Sequence, residues 1–196
     1  MKPAFHESLP DLPIELERVR LRRIEESDAD AVFAIHADAE VARYQSRPAM
    51  TERIQAEELI ARVRAGYDDG HSLQLGVERK ADGVLVGECV LFHFHETSRR
   101  AEIGYSLGRP HWGRGYMNEA LIALIDVAFG ALALNRLEAD IDPRNAASER
   151  SLKRLGFTQE GFLRERWIVK GEVSDTALFG LLRGEWRAAG GSGKDR

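Results

Sequence analysis

The sequence predicts a mixed α/β fold in which a mostly antiparallel central sheet carries helices on both faces. The chain begins with a strand pattern followed by two helix patterns, and its middle contains several strand patterns joined by short turns. The last third has the order helix, strand, helix and hairpin. The 196 residues, 43% of them hydrophobic, are enough for one domain with a buried core. We therefore expect a single domain over residues 14–186, with loosely ordered ends at 1–13 and 187–196.

The first third of the chain predicts one strand followed by two helices. Residues 15–22 alternate polar and apolar side chains, which is typical of a half-buried strand. Ser27 is the expected N-cap of a helix with one apolar face. Thr51 is the expected N-cap of a second helix, which ends near Gly66.

The middle third predicts an antiparallel meander. Strand-type runs cover residues 71–78, 84–95 and 100–107, and turn residues separate them. In the third run, the alternation of side chains places Glu102 on one face of the sheet and Tyr105 on the other.

The last third returns to mixed elements. The first helix expected here has apolar residues on most of its sides, which is typical of a helix buried against a sheet. The elements expected here are a helix over 117–129, a short strand over 136–142, a helix over 146–155, and a closing hairpin over 157–169 and 173–182.

A glycine turn, Gly113-Arg114-Gly115, connects the third meander strand to the helix that follows. Glycines allow backbone amides to face inward, and the start of a helix adds unpaired N–H groups and a positive dipole end. Together these features suit a diphosphate, and Arg114 adds a positive charge. A tight connection with no ligand explains the turn equally well. A dinucleotide-binding loop is disfavoured, because it needs a third glycine where this chain has Asn118.

Composition disfavours several classes of function. The net charge of −4 disfavours a protein that binds nucleic acid through general electrostatics. Cys89 is the single cysteine, so neither an internal disulfide nor a cysteine metal cluster is expected. His93 and His95 have no third ligand motif, so we expect no metal site. With no signal peptide and no apolar run long enough to span a bilayer, we expect a cytoplasmic protein without membrane contact.

Four segments, at residues 101–107, 111–120, 145–148 and 155–157, together resemble the GNAT acetyltransferase superfamily. More narrowly they resemble its RimJ/RimL-type branch, which acetylates the N-terminal amines of ribosomal proteins. The resemblance extends over residues 16–182. It implies a GNAT-like fold, acetyl-CoA as cosubstrate without a metal, and an amine acceptor, with a ribosomal-protein N-terminus as the first choice.

The resemblance also implies which residues bind acetyl-CoA. In the superfamily loop, Gln/Arg-x-x-Gly-x-Gly/Ala, this chain places Trp112 at the first position and Met117 at the last, which are two departures. The implied cofactor-binding residues are Tyr105, Leu107, Trp112, Gly113, Arg114, Gly115, Tyr116, Met117, Asn118 and Asn145. For Asn145, a helix N-cap is the competing structural role.

Amine acetylation needs a group that takes the proton of the ammonium and a donor for the leaving thiolate. Glu102 is the expected base, although an ion pair with Arg99, Arg100 or another surface cation accounts for it equally well. Glu165 is the alternative, because the start of the closing hairpin can face the acceptor groove, and a water chain is a third possibility. The resemblance places Trp167 where related enzymes have a suggested carboxylate base, so the identity of the base stays open. Ser148 is the expected donor to the thiolate, since Leu152 replaces the tyrosine that many members carry.

Two other functions remain open at this point. A small amine such as a polyamine, amino acid or antibiotic is the alternative acceptor, because acceptor specificity resides in segments such as residues 44–50 and 164–175. A non-catalytic module that binds acyl-CoA is the alternative outside the enzymes. The sequence leaves both a monomer and a homodimer open.

Overall fold

A computed structural model describes residues 11–169 and 171–188. Residues 1–10 and 189–196, which make up most of the two predicted loose ends, lie outside the described residues. The strands are β1 (Ile14–Glu15), β2 (Val19–Arg22), β3 (Ser72–Arg79), β4 (Val84–His95), β5 (Arg100–Leu107), β6 (Arg136–Ile141), β7 (Thr158–Val169) and β8 (Glu172–Leu182). The helices are α1 (Ala29–Ala37), α2 (Ala39–Ala42), α3 (Ile54–Asp69), α4 (Tyr116–Phe129), α5 (Ala146–Arg154) and α6 (Arg183–Ala188).

The strands form one sheet in the order β1-β2-β3-β4-β5-β6-β8-β7. Every neighbouring pair is antiparallel except β5 and β6, which run parallel. The parallel pair marks the crossover through α4, where the meander ends and the second half begins. The predicted fold class is therefore confirmed.

Two hydrophobic cores cover the two faces of the sheet. On one face, α4 and α5 pack against the strands, and Leu121, Leu124 and Leu152 are fully buried. On the other face, α1 and α3 pack against β3 and β4 around a smaller core that contains Val32 and Ile60. Because α4 is apolar on most sides, it lies deepest, as its sequence predicts.

Local capping differs from the sequence prediction at both early helices. Ser27 lies inside a 3-10 turn, and the capping box is formed by Glu25 and Asp28. Thr51 also fails as an N-cap, because α3 begins at Ile54 and the Gln55 side chain accepts the N–H groups of residues 51 and 52. At both helix starts the side chain that accepts backbone N–H groups is therefore not the predicted hydroxyl: Asp28 accepts from Glu25, and Gln55 accepts from residues 51 and 52.

The strands β5 and β6 pair over only three residues, Arg100 to Glu102 against Arg136 to Glu138. Beyond this point β5 continues to Leu107 and β6 to Ile141 without pairing with each other. The sheet therefore opens into a cleft between the carboxyl ends of these two strands. Unpaired backbone groups along a sheet opening are donors and acceptors for a bound chain.

Candidate active site

Most of the residues predicted to bind the cosubstrate or to take part in the reaction lie around the cleft between β5 and β6. The glycine turn follows directly after β5 and leads into α4, while α5 follows β6 on the same side of the sheet. Side chains alternate along β5. One face of the sheet carries Glu102, Gly104 and Ser106, whereas Tyr105 lies on the other face, where it packs against the larger core. The cleft thus has two chemically different sides.

The glycine turn has backbone geometry that only glycine adopts without strain. Gly113 has φ of +71° and Gly115 has φ of +79°, and Gly115 is the N-cap of α4. A Cβ at Gly113 would meet no atom of the described residues within 4 Å, so this side of the turn is open in the described part of the chain. The first backbone N–H groups of α4, at Tyr116 to Asn118, have no carbonyl acceptor within the helix. The turn therefore offers converging donors to an anion.

Arg18 holds the other side of the glycine turn. Its Nη1 donates to the carbonyl of Arg114 at 2.8 Å, and its guanidinium lies 5.5 Å from the centre of the Tyr116 ring. Glu119, in the first turn of α4, accepts from the Arg18 Nε at 2.8 Å and from the Arg18 backbone N–H at 2.7 Å. Hydrogen bonds from Arg18 hold the pKa of Glu119 below its usual range, although burial alone would raise it. The start of β2 thus fixes the turn.

Two hydroxyl groups meet on the cofactor side of the cleft. The Tyr105 hydroxyl lies 2.7 Å from the Ser148 Oγ, and either can be the donor. Burial raises the pKa of Tyr105, so its hydroxyl stays protonated at neutral pH. The Asn145 Oδ1 accepts the Ser148 backbone N–H at 3.1 Å, which is a helix N-cap. Asn145 therefore positions Ser148. The side-chain NH₂ group of Asn145 can still donate hydrogen bonds to a ligand.

Carboxylates stand on the opposite side of the cleft. Glu102 is 26% exposed, and its Oε1 lies 3.0 Å from Nδ1 of the exposed His93. Among the described residues its partner is therefore this histidine and not Arg99 or Arg100, the two arginines named from the sequence. Arg100 pairs with Glu138 instead. Asp140, which the sequence did not single out, lies near Glu102 on the neighbouring strand β6. Glu165, the alternative base, lies exposed in an irregular part of β7.

A buried polar cluster anchors the loop over the carboxylate side. Glu88 on β4 is bonded to His36 Nε2 at 2.8 Å, and Arg47 reaches the same His36 ring. Gln45 donates to the Ser106 Oγ at 3.0 Å. Although burial alone would raise it, the hydrogen bond with His36 keeps the pKa of Glu88 below its usual range. The Glu88 carboxylate therefore holds, through Arg47 and His36, the loop of residues 44–50, which was expected to determine acceptor specificity.

Comparison with known families decides what this arrangement is. Residues 18–158 match the family described as "Acetyltransferase (GNAT) domain". The chain belongs to the GNAT acetyltransferase family. It is an acetyl-CoA-dependent N-acetyltransferase.

Two of the relatives compared with this GNAT protein match most of its length, and a third matches less than half of it. The uncharacterized N-acetyltransferase p20 of Bacillus licheniformis is 36% identical over 170 residues, 87% of this chain and 96% of p20. The [ribosomal protein uS5]-alanine N-acetyltransferase of Escherichia coli is 34% identical over 84 residues, 43% of each chain. The structure of Mycobacterium smegmatis RimJ in complex with CoA-disulfide superposes with a TM-score of 0.76 at 26% identity, covering 88% of this chain and 90% of RimJ.

GNAT enzymes use acetyl-CoA, and the glycine turn fits its diphosphate. Met117, the departure at the last loop position, is buried in the larger core, so its side chain leaves the open side of the turn. Trp112, the departure at the first position, is 46% exposed and donates its indole N–H to the Leu107 carbonyl at 2.7 Å. It therefore closes the connection between β5 and the turn, and neither departure blocks the site.

Some features of this GNAT site were missed from the sequence. Arg18 and Glu119 are 101 residues apart, and Asp140 on β6 is influenced by Trp167 on β7, with β8 between the two strands, so no local pattern joins them. Leu152 is fully buried and cannot serve the thiolate, as expected. The one available signal was alternation along 136–142, which puts Asp140 on the face opposite to the buried Leu137 and Ala139.

Within residues 11–169 and 171–188, no group of three or more His, Cys, Asp or Glu side chains is placed to hold a metal ion. None of the helices in the same described part of the chain is long and apolar enough to cross a membrane.

Proposed function

We propose that this GNAT enzyme transfers the acetyl group of acetyl-CoA to the α-amine at a polypeptide N-terminus, as in the ribosomal-protein branch. The observation that carries the proposal is the two-sided cleft. Hydroxyl donors stand on one side at Tyr105 and Ser148, and carboxylates stand on the other at Glu102 and Asp140. An amine that approaches from the carboxylate side would expel the thiolate toward the hydroxyl side.

In this proposal the glycine turn and the first amides of α4 hold the diphosphate. The residues assigned to the cosubstrate are those implied by the resemblance: Tyr105, Leu107, Trp112, Gly113, Arg114, Gly115, Tyr116, Met117, Asn118 and Asn145. Bound acetyl-CoA supplies an activated acetyl thioester. Ser148, with Tyr105 behind it, donates a hydrogen bond or proton to the leaving sulfur.

The carboxylate side favours an acceptor that arrives as a cation. Glu102 and Asp140 lie together there, with the exposed His93 and Arg166 as their partners. The E. coli relative acetylates an alanine of ribosomal protein uS5, which supports an N-terminal α-amine as acceptor. An α-amine also loses its proton far more readily than a lysine side chain.

A panel of amines tests this acceptor class. At pH 7, kcat/KM from free-thiol release is expected to be at least about tenfold higher for a peptide with a free N-terminal alanine than for other amines. The reason is that about one tenth of an amine of pKa near 8 is unprotonated, against less than about one thousandth of a lysine side chain. The other arms are an N-terminally blocked peptide with one lysine, and spermidine. A higher kcat/KM for spermidine or lysine would contradict the α-amine assignment.

A further inference from the structure

We infer that Asp140 is the group that accepts the proton of the acceptor ammonium, and that Glu102 acts on it as a charged neighbour. The inference rests on the proposed acetyl transfer to an amine, and it names the proton acceptor of that reaction. It replaces Glu102, which the sequence favoured, in that role.

The placement of Asp140 follows from strand register. The last residue of β6 that pairs with β5 is Glu138, opposite Glu102, and Asp140 is two residues further along the same strand. It therefore shares a face with Glu102 and lies where the two strands have separated. Tyr105 lies on the other face of β5. A proton acceptor and the thiolate donors thus stand on opposite faces of one opening, which gives the entering amine and the leaving thiolate separate polar partners.

The Asp140 side chain is held by β7 and remains reachable. Its exposed fraction is 27%, and Arg166 Nε lies 3.6 Å from its Oδ2. Trp167, the next residue on β7, also lies close enough to this carboxylate to lower its pKa. The Asp140 carboxylate is therefore loosely held by β7, and its exposed fraction leaves it accessible to a substrate. By comparison, the Glu138 carboxylate is already engaged by Arg100 and Arg136.

The surroundings of Asp140 make it a stronger base than an ordinary aspartate. Burial raises the pKa of Asp140, and the negative charge of Glu102 raises it further, while Arg166, Trp167 and His93 oppose the rise. A base is most effective when its pKa approaches the working pH.

Other charged groups near Asp140 are paired. On its own strand Glu138 bonds to two arginines, and the following Asp142 bonds to Arg144. Hydrogen bonds from Arg144 hold the pKa of Asp142 below its usual range. Asp140 therefore has a longer ion pair than Glu138 or Asp142, and burial raises its pKa.

The Asp140 carboxylate takes one proton from the ammonium nitrogen, and this proton passes on to water. The freed lone pair forms a bond to the acetyl carbon while the carbonyl π pair moves to the oxygen. When that pair re-forms the carbonyl, the carbon–sulfur bond breaks and its electron pair leaves on the sulfur. Ser148 donates a proton to the sulfur, and the second proton that the nitrogen loses on forming the amide restores the Ser148 hydroxyl through water.

The pH dependence of two variants tests the inference. Asp140→Asn is expected to lower kcat/KM by about 10²-fold at pH 7, and the deficit should shrink as the pH rises above the amine pKa of about 8. Glu102→Gln is expected to keep more than about a tenth of the activity and to move the acidic limb of the kcat/KM profile to lower pH. The limb moves down because removal of the Glu102 charge lowers the pKa of Asp140.

Controls separate this inference from a structural role. Asp30→Asn removes the same charge from an exposed side chain on α1 and should leave the profile unchanged. The melting temperature of Asp140→Asn at pH 7 should be equal to or above that of the wild type. An acid whose pKa is raised by folding costs stability once the pH exceeds that pKa, and asparagine removes the cost.

Each contrary outcome has a separate meaning. An Asp140→Asn profile that parallels the wild type, with little loss at any pH, would overturn the assignment of Asp140. Abolished activity in Glu102→Gln, with only a shifted limb in Asp140→Asn, would return the role to Glu102. If the wild type acetylates no amine although it binds acetyl-CoA, the proposed function itself fails.

Discussion

Replacing Gly115 with valine is expected to raise the dissociation constant for acetyl-CoA by at least about tenfold, on the order of 1.4 kcal/mol. The valine Cβ would lie 3.1 Å from the Arg18 Nη2, and the residue would have to keep φ of +79°, which β-branched side chains avoid. The turn must therefore rearrange, and its amides would no longer converge on the diphosphate. Isothermal titration calorimetry of the folded variant measures the change.

Gly171→Val is the matched control for this experiment. Gly171 has φ of +83° in the hairpin turn before β8, and a Cβ there meets nothing within 4 Å. A valine at residue 171 imposes a comparable backbone strain, because it too must keep a positive φ, at a position far along the chain from the glycine turn. We expect it to lose stability but to keep its affinity for acetyl-CoA. Unchanged affinity in a folded Gly115→Val variant would remove the diphosphate from this turn.

Replacing Ser148 with alanine is expected to lower kcat by about 10- to 100-fold while the acetyl-CoA KM changes little. The hydroxyl matters most when negative charge develops on the sulfur, so its loss affects the transition state more than the bound substrate. Tyr105→Phe should produce a similar loss if the two hydroxyls act in series. In that case the double variant should be no worse than the poorer single variant.

Ser151→Ala is the matched control on the same helix. The Ser151 hydroxyl donates to the Ala147 carbonyl within α5 and is exposed, so its removal should leave kcat unchanged. Steady-state kinetics with both substrates varied separates kcat from KM. If Ser148→Ala changes KM alone, Ser148 is a binding residue and another group serves the thiolate.

The central strands could be predicted closely because their patterns are local. Alternation and turn residues set the bounds of β4 and β5, which the structure gives as Val84–His95 and Arg100–Leu107, the runs that the sequence predicts. The first predicted strand is instead split into β1 and β2, since a turn at residues 16–19 folds them into a hairpin. The short helices α2 and α6 were missed, because four to six residues carry too little periodicity to be recognised.

The cleft itself could not be predicted from local patterns. Its existence depends on where β5 and β6 stop pairing, and the sequence of neither strand marks Glu102 and Glu138 as the last pair. The contact between Tyr105 and Ser148 joins residues 43 apart, so the sequence suggested each residue for a different role. Ser148 remains a predicted hydrogen-bond donor to the thiolate. Tyr105, predicted as a cofactor contact, is also the hydrogen-bond partner of the Ser148 hydroxyl.

The base could not be chosen from sequence because the choice depends on surroundings. Glu102, Glu165 and Asp140 are all carboxylates near expected strand ends. Contacts from the distant Trp167 and the burial of β6 distinguish Asp140 from the other two. Such contacts depend on the order of the strands, which places β8 and β7 beside β6.

The most direct test of the account measures both products of one reaction. The full-length protein is incubated with acetyl-CoA and a peptide with a free N-terminal alanine, and free thiol and acetylated peptide are quantified in the same sample by colorimetry and tandem mass spectrometry. The account predicts equal amounts of the two products, with the acetyl group on the α-nitrogen. Acetyl-CoA binding without thiol release, or thiol release without acetylated peptide, would contradict it.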